Sequence, residues 1–183
     1  MLKEIIFYGR GGQGAVTAAN LLANAALKSG NKGVQAFPFF GAERRGAPVK
    51  AFARISDEEI FLRSEIREPD IVVILDVGIM DVIDITKGLK KNGLILLNSN
   101  KKPVEFNFSY KTATIDATSI ALENEILVGG IPVVNTPMVG ALVRILDGVN
   151  LKALKEAIME RFKGKNAEKN AKAVEEAYKR VIL

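Results

Sequence analysis

The chain has 183 residues, is 48% hydrophobic, carries a net charge of +5 and contains neither cysteine nor histidine. A length under ~200 residues suits one domain, so residues 1–183 are expected to fold as a single unit. The missing thiols and imidazoles exclude disulfides, ordinary iron–sulfur ligation, zinc sites of the usual kind and triads built on Cys or His; acid–base chemistry would fall to Asp, Glu, Lys or Tyr.

Ile5-Ile6-Phe7-Tyr8 is short, apolar and ends at glycine, the pattern of a buried parallel strand. After a glycine loop, Ala15 to Ser29 places Val16, Ala19, Leu22, Ala23, Ala26 and Leu27 on one helical stripe, with Gly30 where a helix ends. Val34 to Phe37 is a second strand, and the strand–helix–strand order predicts that it pairs in parallel with the first through a right-handed crossover. Pro38 to Pro48 is a loop. Val49 to Ile55 alternates, and with Ser56-Asp57-Glu58-Glu59 as turn and Ile60-Phe61-Leu62 as return it predicts an appended antiparallel hairpin. Further strands are predicted at Ile71 to Leu75, Leu94 to Leu97 and Ala113 to Ile115, ending at Asp76, Asn98 and Asp116, with a short helix within residues 78–89. Such strand-end residues commonly cap the following turn or helix; alternatively they line a crevice.

Thr136-Pro137 reads as a helix start, with a hydroxyl cap and proline in the first turn. Asn150 caps the next helix, whose apolar face is Leu151, Leu154, Ile158 and Phe162. The last helix, from Asn166 to Ile182, buries Ala167, Ala171, Val174, Ala177, Tyr178 and Val181. The fold class is therefore α/β: a Rossmann-like open, mostly parallel sheet with flanking helices and an appended antiparallel hairpin.

No apolar run reaches the ~18 residues of a membrane span, and the start of the chain lacks the apolar segment of a secretory signal. A cytoplasmic protein that does not engage the membrane is expected. The positive charge favours an anionic ligand or an acidic partner surface. With no long block of like charge, nucleic acid is not the expected partner.

Gly9-Arg10-Gly11-Gly12-Gln13-Gly14 places Gly9, Gly11 and Gly14 in the G-x-G-x-x-G pattern, between a strand and a helix. Glycines allow a tight turn and close backbone approach, and the helix N-terminus offers N–H groups and a positive dipole end. A phosphate, a carboxylate or another chain's backbone suits such a loop. A nicotinamide cofactor would also need an acid at the end of the second strand, yet Val34-Gln35-Ala36-Phe37-Pro38 has none. A glycine turn that binds nothing is the bland alternative, for which Arg10 and Gln13 would be superfluous.

Phe37-Pro38-Phe39-Phe40-Gly41-Ala42-Glu43-Arg44-Arg45-Gly46-Ala47-Pro48-Val49 packs three phenylalanines, two prolines, two glycines and three charges into thirteen residues. Its arginines suit bidentate contact with carboxylate or phosphate. A surface ion pair of Glu43 with Arg44 or Arg45 is the alternative, but such pairs contribute only ~0–1 kcal/mol. Phe39 and Phe40 belong either to an interface or to the core.

With Gly9 to Ala15, Phe37 to Pro48 and a third element, Asn135-Thr136-Pro137-Met138-Val139-Gly140-Ala141-Leu142, the sequence resembles the gamma subunit of pyruvate:ferredoxin oxidoreductase, in the 2-oxoacid:ferredoxin oxidoreductase family, over essentially its whole length. The form Glu43-Arg44-Arg45-Gly46-Ala47-Pro48 resembles the pyruvate and branched-chain branch. The resemblance implies a subunit, not catalytic alone, of a heterotetrameric enzyme that oxidatively decarboxylates a 2-oxoacid to acyl-coenzyme A and passes electrons to ferredoxin. It implies alpha, beta and delta partner subunits that hold thiamine diphosphate, magnesium and 4Fe–4S clusters. This chain, without cysteine or a Gly-Asp-Gly signature, binds none of these cofactors itself.

What remains for it is assembly and the coenzyme A side of the reaction. The expected site joins Gly9, Arg10, Gly11, Gly12, Gln13 and Gly14 with Glu43, Arg44, Arg45 and Gly46 at the carboxyl edge of the sheet, and Asn135 and Thr136 add a helix N-terminus. An isolated subunit would expose a partner face and form homodimers through it. The competing readings are a stand-alone NAD(P)-binding Rossmann oxidoreductase and an anion- or RNA-binding module.

Overall fold

In the computed structural model, residues 1–39 and 47–183 are described. Strand β1 (Lys3–Arg10) leads through the glycine loop into helix α1 (Ala15–Lys28), followed by β2 (Gly33–Pro38), β3 (Pro48–Ser56), β4 (Ile71–Ile74), β5 (Leu94–Asn98) and β6 (Lys111–Ile115). The chain continues through α2 (Ala117–Glu123), a small ribbon of β7 (Leu127–Val128) and β8 (Ile131–Pro132), then α3 (Asn135–Ile145), α4 (Leu151–Arg161) and α5 (Gly164–Arg180). The main sheet has the order β2-β3-β1-β4-β5-β6. Strands β1, β4, β5 and β6 run parallel, whereas β3 is antiparallel to both of its neighbours.

The parallel α/β architecture is as the sequence predicts, but two strand pairings differ. β2 has the direction of β1 yet does not touch it, because β3 lies between them. Moreover, β3 forms no hairpin with Ile60 to Leu62; those residues lie in no strand, and Gln35 Nε2 donates to the carbonyls of Ile60 and Leu62 at 3.4 and 2.9 Å.

Arg54 fits the interior place of β3. The alternation of β3 suggests a polar outer face, but Arg54 is only 1% exposed. Its guanidinium donates to Glu4 Oε1 at 2.9 Å, to Gln35 Oε1 at 3.3 Å and to the Ser64 carbonyl at 2.8 Å. A cation supplied with these acceptors can be buried, so the strand that carries it can sit inside the sheet.

The described α-helices all contribute to one face of the sheet. Ile5, Phe7, Ala53, Val73, Leu96 and Ala113 pack there against Ala18, Leu22, Ile120, Leu142, Leu154 and Val174. The stripe of α1 is buried as expected except at Val16, which is half-buried, and Leu27, which is exposed. On the other face, Ile6, Tyr8, Phe52, Val72, Ile74 and Ile95 are covered by Ile66, Ile79, Ile85 and Leu89, which lie outside the α-helices and strands. The helix expected within residues 78–89 is a single 3-10 turn, Val77–Asp81.

α3 and α5 meet at the backbone. A Cβ on Gly140 would stand 2.5 Å from the Val174 carbonyl, so glycine is required for this approach. The end of the chain closes the β6 edge, since Thr114 and Ile182 exchange two backbone hydrogen bonds of 2.9 Å. No helix among the described residues is long and apolar enough to cross a membrane.

Candidate functional site

The turn after β1 is closed by one residue. Gln13 donates its backbone N–H to the Arg10 carbonyl at 3.0 Å, and its side-chain Oε1 accepts from the Arg10 N–H at 2.7 Å. Gly12 (φ 96°) and Gly14 (φ 80°) occupy the left-handed region, which side chains with a Cβ rarely adopt. Gly14 is also the cap of α1, and its carbonyl accepts from the Ala18 N–H at 2.9 Å. A Cβ there would lie 2.3 Å from Asn135 Nδ2, so the glycine also makes room for the start of α3. The first and third motifs of the sequence therefore meet.

The second motif ends beside the first, while its start packs on β3. Gly11 N–H donates to the Ala47 carbonyl at 2.9 Å, and Phe39 N–H donates to the Lys50 carbonyl at 3.0 Å. Phe39 is half-exposed and meets the Phe52 ring edge-on at 6.2 Å, with Lys50 Nζ 5.4 Å from its centroid. Phe40 and the predicted site residues Glu43, Arg44, Arg45 and Gly46 lie outside the described residues.

Asn135 and Thr136 are buried. The helix starts two residues earlier than the sequence suggests, with Val134 rather than Thr136 as its cap. Thr136 therefore does not cap it through its hydroxyl, which instead donates to Asn170 Oδ1 on α5 at 2.7 Å, while its N–H donates to Asn135 Oδ1 at 2.8 Å. The expected cap at Asn150 is present: its Oδ1 accepts from the Ala153 N–H at 2.9 Å.

The three strand-end residues differ in what they do. Asn98 Oδ1 accepts from the Ala117 N–H at 3.1 Å, and Asp116 Oδ1 accepts from the Ser119 N–H at 2.9 Å, so both hold the start of α2. Asp76 caps the 3-10 turn, accepting from the Gly78 N–H at 2.9 Å, but also reaches the glycine loop. Its Oδ2 accepts from Arg10 Nε at 3.0 Å and from Gln13 Nε2 at 3.1 Å. Sequence reasoning grouped Asp76 with the other two. The distinguishing signal is strand order, because only Asp76 follows the strand beside β1.

Tyr8, beneath the loop on β1, has its phenol pushed up by burial and then by the nearby charges of Glu65 and Asp84, so it stays neutral at physiological pH. The nicotinamide reading loses a second requirement here. Antiparallel β3 takes the place beside β1 where the dinucleotide fold puts its acid-bearing strand.

A glycine turn locked to a neighbouring strand end, against a buried helix start, defines an α/β protein of Rossmann-like type whose sequence offers no thiol or imidazole ligand. The sequence profile of the Pyruvate ferredoxin/flavodoxin oxidoreductase family matches residues 4–180. The chain is 52% identical over 179 residues to pyruvate synthase subunit PorC of Methanocaldococcus jannaschii, covering 98% of this chain and 97% of that protein. It is 50% identical over 185 residues to the pyruvate/ketoisovalerate oxidoreductases common subunit gamma of Thermococcus kodakarensis, with 98% and 97% covered. The crystal structure of pyruvate oxidoreductase subunit PORC from Thermotoga maritima superposes with a TM-score of 0.83 at 38% identity, covering 98% of this chain and 97% of that one. The chain belongs to the pyruvate ferredoxin/flavodoxin oxidoreductase family, in which it corresponds along its length to the gamma subunits.

Proposed function

We propose that this chain is the gamma subunit of a pyruvate-type 2-oxoacid:ferredoxin oxidoreductase, that it works with alpha, beta and delta subunits, and that it supplies part of the surface that receives coenzyme A. The observation that carries this reading is the bond from Gly11 N–H to the Ala47 carbonyl. It ties Ala47, which follows the arginine-bearing segment in sequence, to the glycine turn, where backbone donors lie beside the Arg10 guanidinium. Coenzyme A carries phosphates, which both kinds of donor suit.

The residues of this chain do not fit the redox centres of such an enzyme. Without cysteine it cannot ligate an ordinary iron–sulfur cluster, and it has no Gly-Asp-Gly segment for a thiamine–magnesium site. Those groups belong to the partner chains, and ferredoxin meets the complex there. The ribbon of β7 and β8 supports the assembly role. Val128 and Ile131 are 72% and 59% exposed around Gly129 and Gly130, whose positive φ values of 59° and 79° suit a tight hairpin turn. An apolar tip of this kind is suited to a neighbouring subunit, and isolated gamma is expected to pair with itself when that neighbour is missing.

The test is steady-state kinetics of the assembled enzyme with Arg44→Ala and Arg45→Ala gamma subunits. Each variant is expected to raise KM for coenzyme A by about tenfold, with gamma still bound in the complex. Coenzyme A kinetics unchanged in both variants would remove the reading.

A further inference from the structure

We propose that Asp76 and Gly78 form a seat that positions Arg10 for coenzyme A, an inference that rests on the coenzyme A reading above. The seat follows from strand register. Tyr8 pairs with Ile74 across the parallel β1–β4 ladder, and Leu75 N–H donates to the Tyr8 carbonyl at 2.9 Å. Two residues beyond that pair, Asp76 therefore comes beside Arg10.

Its carboxylate holds three groups at once. Oδ1 accepts from the Gly78 N–H at 2.9 Å, which fixes the carboxylate on its own turn. Oδ2 accepts from Arg10 Nε at 3.0 Å and Gln13 Nε2 at 3.1 Å. Gln13 Oε1 in turn accepts from the Arg10 N–H at 2.7 Å, so the backbone and side chain of Arg10 are held by one connected network.

Gly78 supplies the other wall. A Cβ at this position would stand 3.2 Å from Arg10 Nη2 and 3.1 Å from Asp76 Oδ1, so the bare backbone lets the guanidinium lie close over the turn. The φ of Gly78 is not positive, so what glycine contributes here is space: a Cβ would push Arg10 Nη2 or Asp76 Oδ1 away by a few tenths of an ångström.

Holding an arginine through Nε removes much of the rotamer freedom that it would otherwise lose on meeting a phosphate. Asp76 is thus a positioning residue, acting on the ligand through Arg10. Asn98 and Asp116 have no such role, because their side chains turn to the start of α2.

The experiment uses the assembled enzyme with gamma variants Asp76→Asn, Gly78→Ala, Arg10→Ala and the double variant Arg10→Ala/Asp76→Asn, beside Arg45→Ala. Asp76→Asn and Gly78→Ala are expected to raise KM for coenzyme A by about fivefold or more, while kcat and KM for pyruvate stay the same. The double variant should match Arg10→Ala alone, because Asp76 acts only through Arg10. If Arg45→Ala raises the KM but Asp76→Asn leaves it unchanged or lowers it, the seat is overturned and the coenzyme A reading stands. If the effects of Arg10→Ala and Asp76→Asn add, the seat is likewise overturned. If no arginine variant moves the KM, both ideas fall. A variant that fails to assemble would be seen as loss of gamma from the complex; loss of gamma from both Asp76→Asn and Gly78→Ala complexes would make the seat a folding element and overturn the positioning role.

Discussion

Asn135 occupies the space that a side chain at Gly14 would fill: the amide Nδ2 lies 2.3 Å from where a Cβ on Gly14 would stand. Two motifs far apart in the sequence thus close on each other at the start of two helices. Gly14 is constrained twice, by this contact and by its φ of 80°.

Gly14→Ala is therefore expected to destabilise the chain by about 2–4 kcal/mol, combining a left-handed alanine with overpacking. Thermal unfolding checks this, with a fall in Tm of roughly 2–4 °C per kcal/mol for a domain of this size. Gly12→Ala shares the positive φ, but a Cβ there meets nothing within 4 Å. It should cost only about 1 kcal/mol. Equal losses at the two positions would contradict the contact with Asn135.

Thr136 and Asn170 make a hydrogen bond of 2.7 Å in the buried contact between α3 and α5, and Asn170 Nδ2 donates onward to the Asn166 carbonyl at 2.8 Å. Thr136→Val keeps the shape but leaves Asn170 Oδ1 without its donor. A loss of about 1–3 kcal/mol is expected in urea unfolding, with Thr136→Ser close to wild type.

Glu4 faces the buried Arg54 at 2.9 Å. Glu4→Ala removes the countercharge and should cost about 3 kcal/mol, because an uncompensated charge is left in the sheet. The double variant Glu4→Leu/Arg54→Met is expected to recover part of that loss. Additive losses in a double-mutant cycle would show that the two side chains are not coupled.

Glu175 accepts hydrogen bonds from Lys179 at 2.7 Å and Lys155 at 2.9 Å, which hold its carboxyl down at about 2 from an ordinary 4.5. A folded-state pKa below the unfolded one gives stability that is fully present above pH 4.5 and is lost as pH falls toward about 2. The urea midpoint of wild type should exceed that of Glu175→Gln at neutral pH, and the gap should close through that acidic window. Because the group is on the surface, the gap should also narrow in high salt.

The parallel strands were legible because a buried strand is a short apolar run ended by a polar or glycine residue, as at Ile71 to Ile74. The site was legible in part. Gly12 and Gly14 show the left-handed backbone that glycine loops need, and Asn135 reaches Gly14. The place of β3 was not legible, because an arginine in an alternating strand signals an exposed side unless its partners are known. Those partners, Glu4, Gln35 and Ser64, come from three separate segments. Thr136 was misplaced for a related reason: a Thr-Pro pair fits a helix cap, yet its hydroxyl found a buried amide 34 residues away.

By itself the sequence determined much of the local conformation of this protein: the parallel strands, the longer amphipathic helices and the glycine turn. Each depends on the backbone freedom and apolar spacing of neighbouring residues. It also excluded ordinary iron–sulfur ligation here, since the chain has no thiol. Only the tertiary structure decided that β3 separates β2 from β1 and that Asp76, 66 residues from Arg10, holds its guanidinium. Strand order and register are set by packing across the whole sheet, which brings together charges that nothing in their immediate sequence pairs.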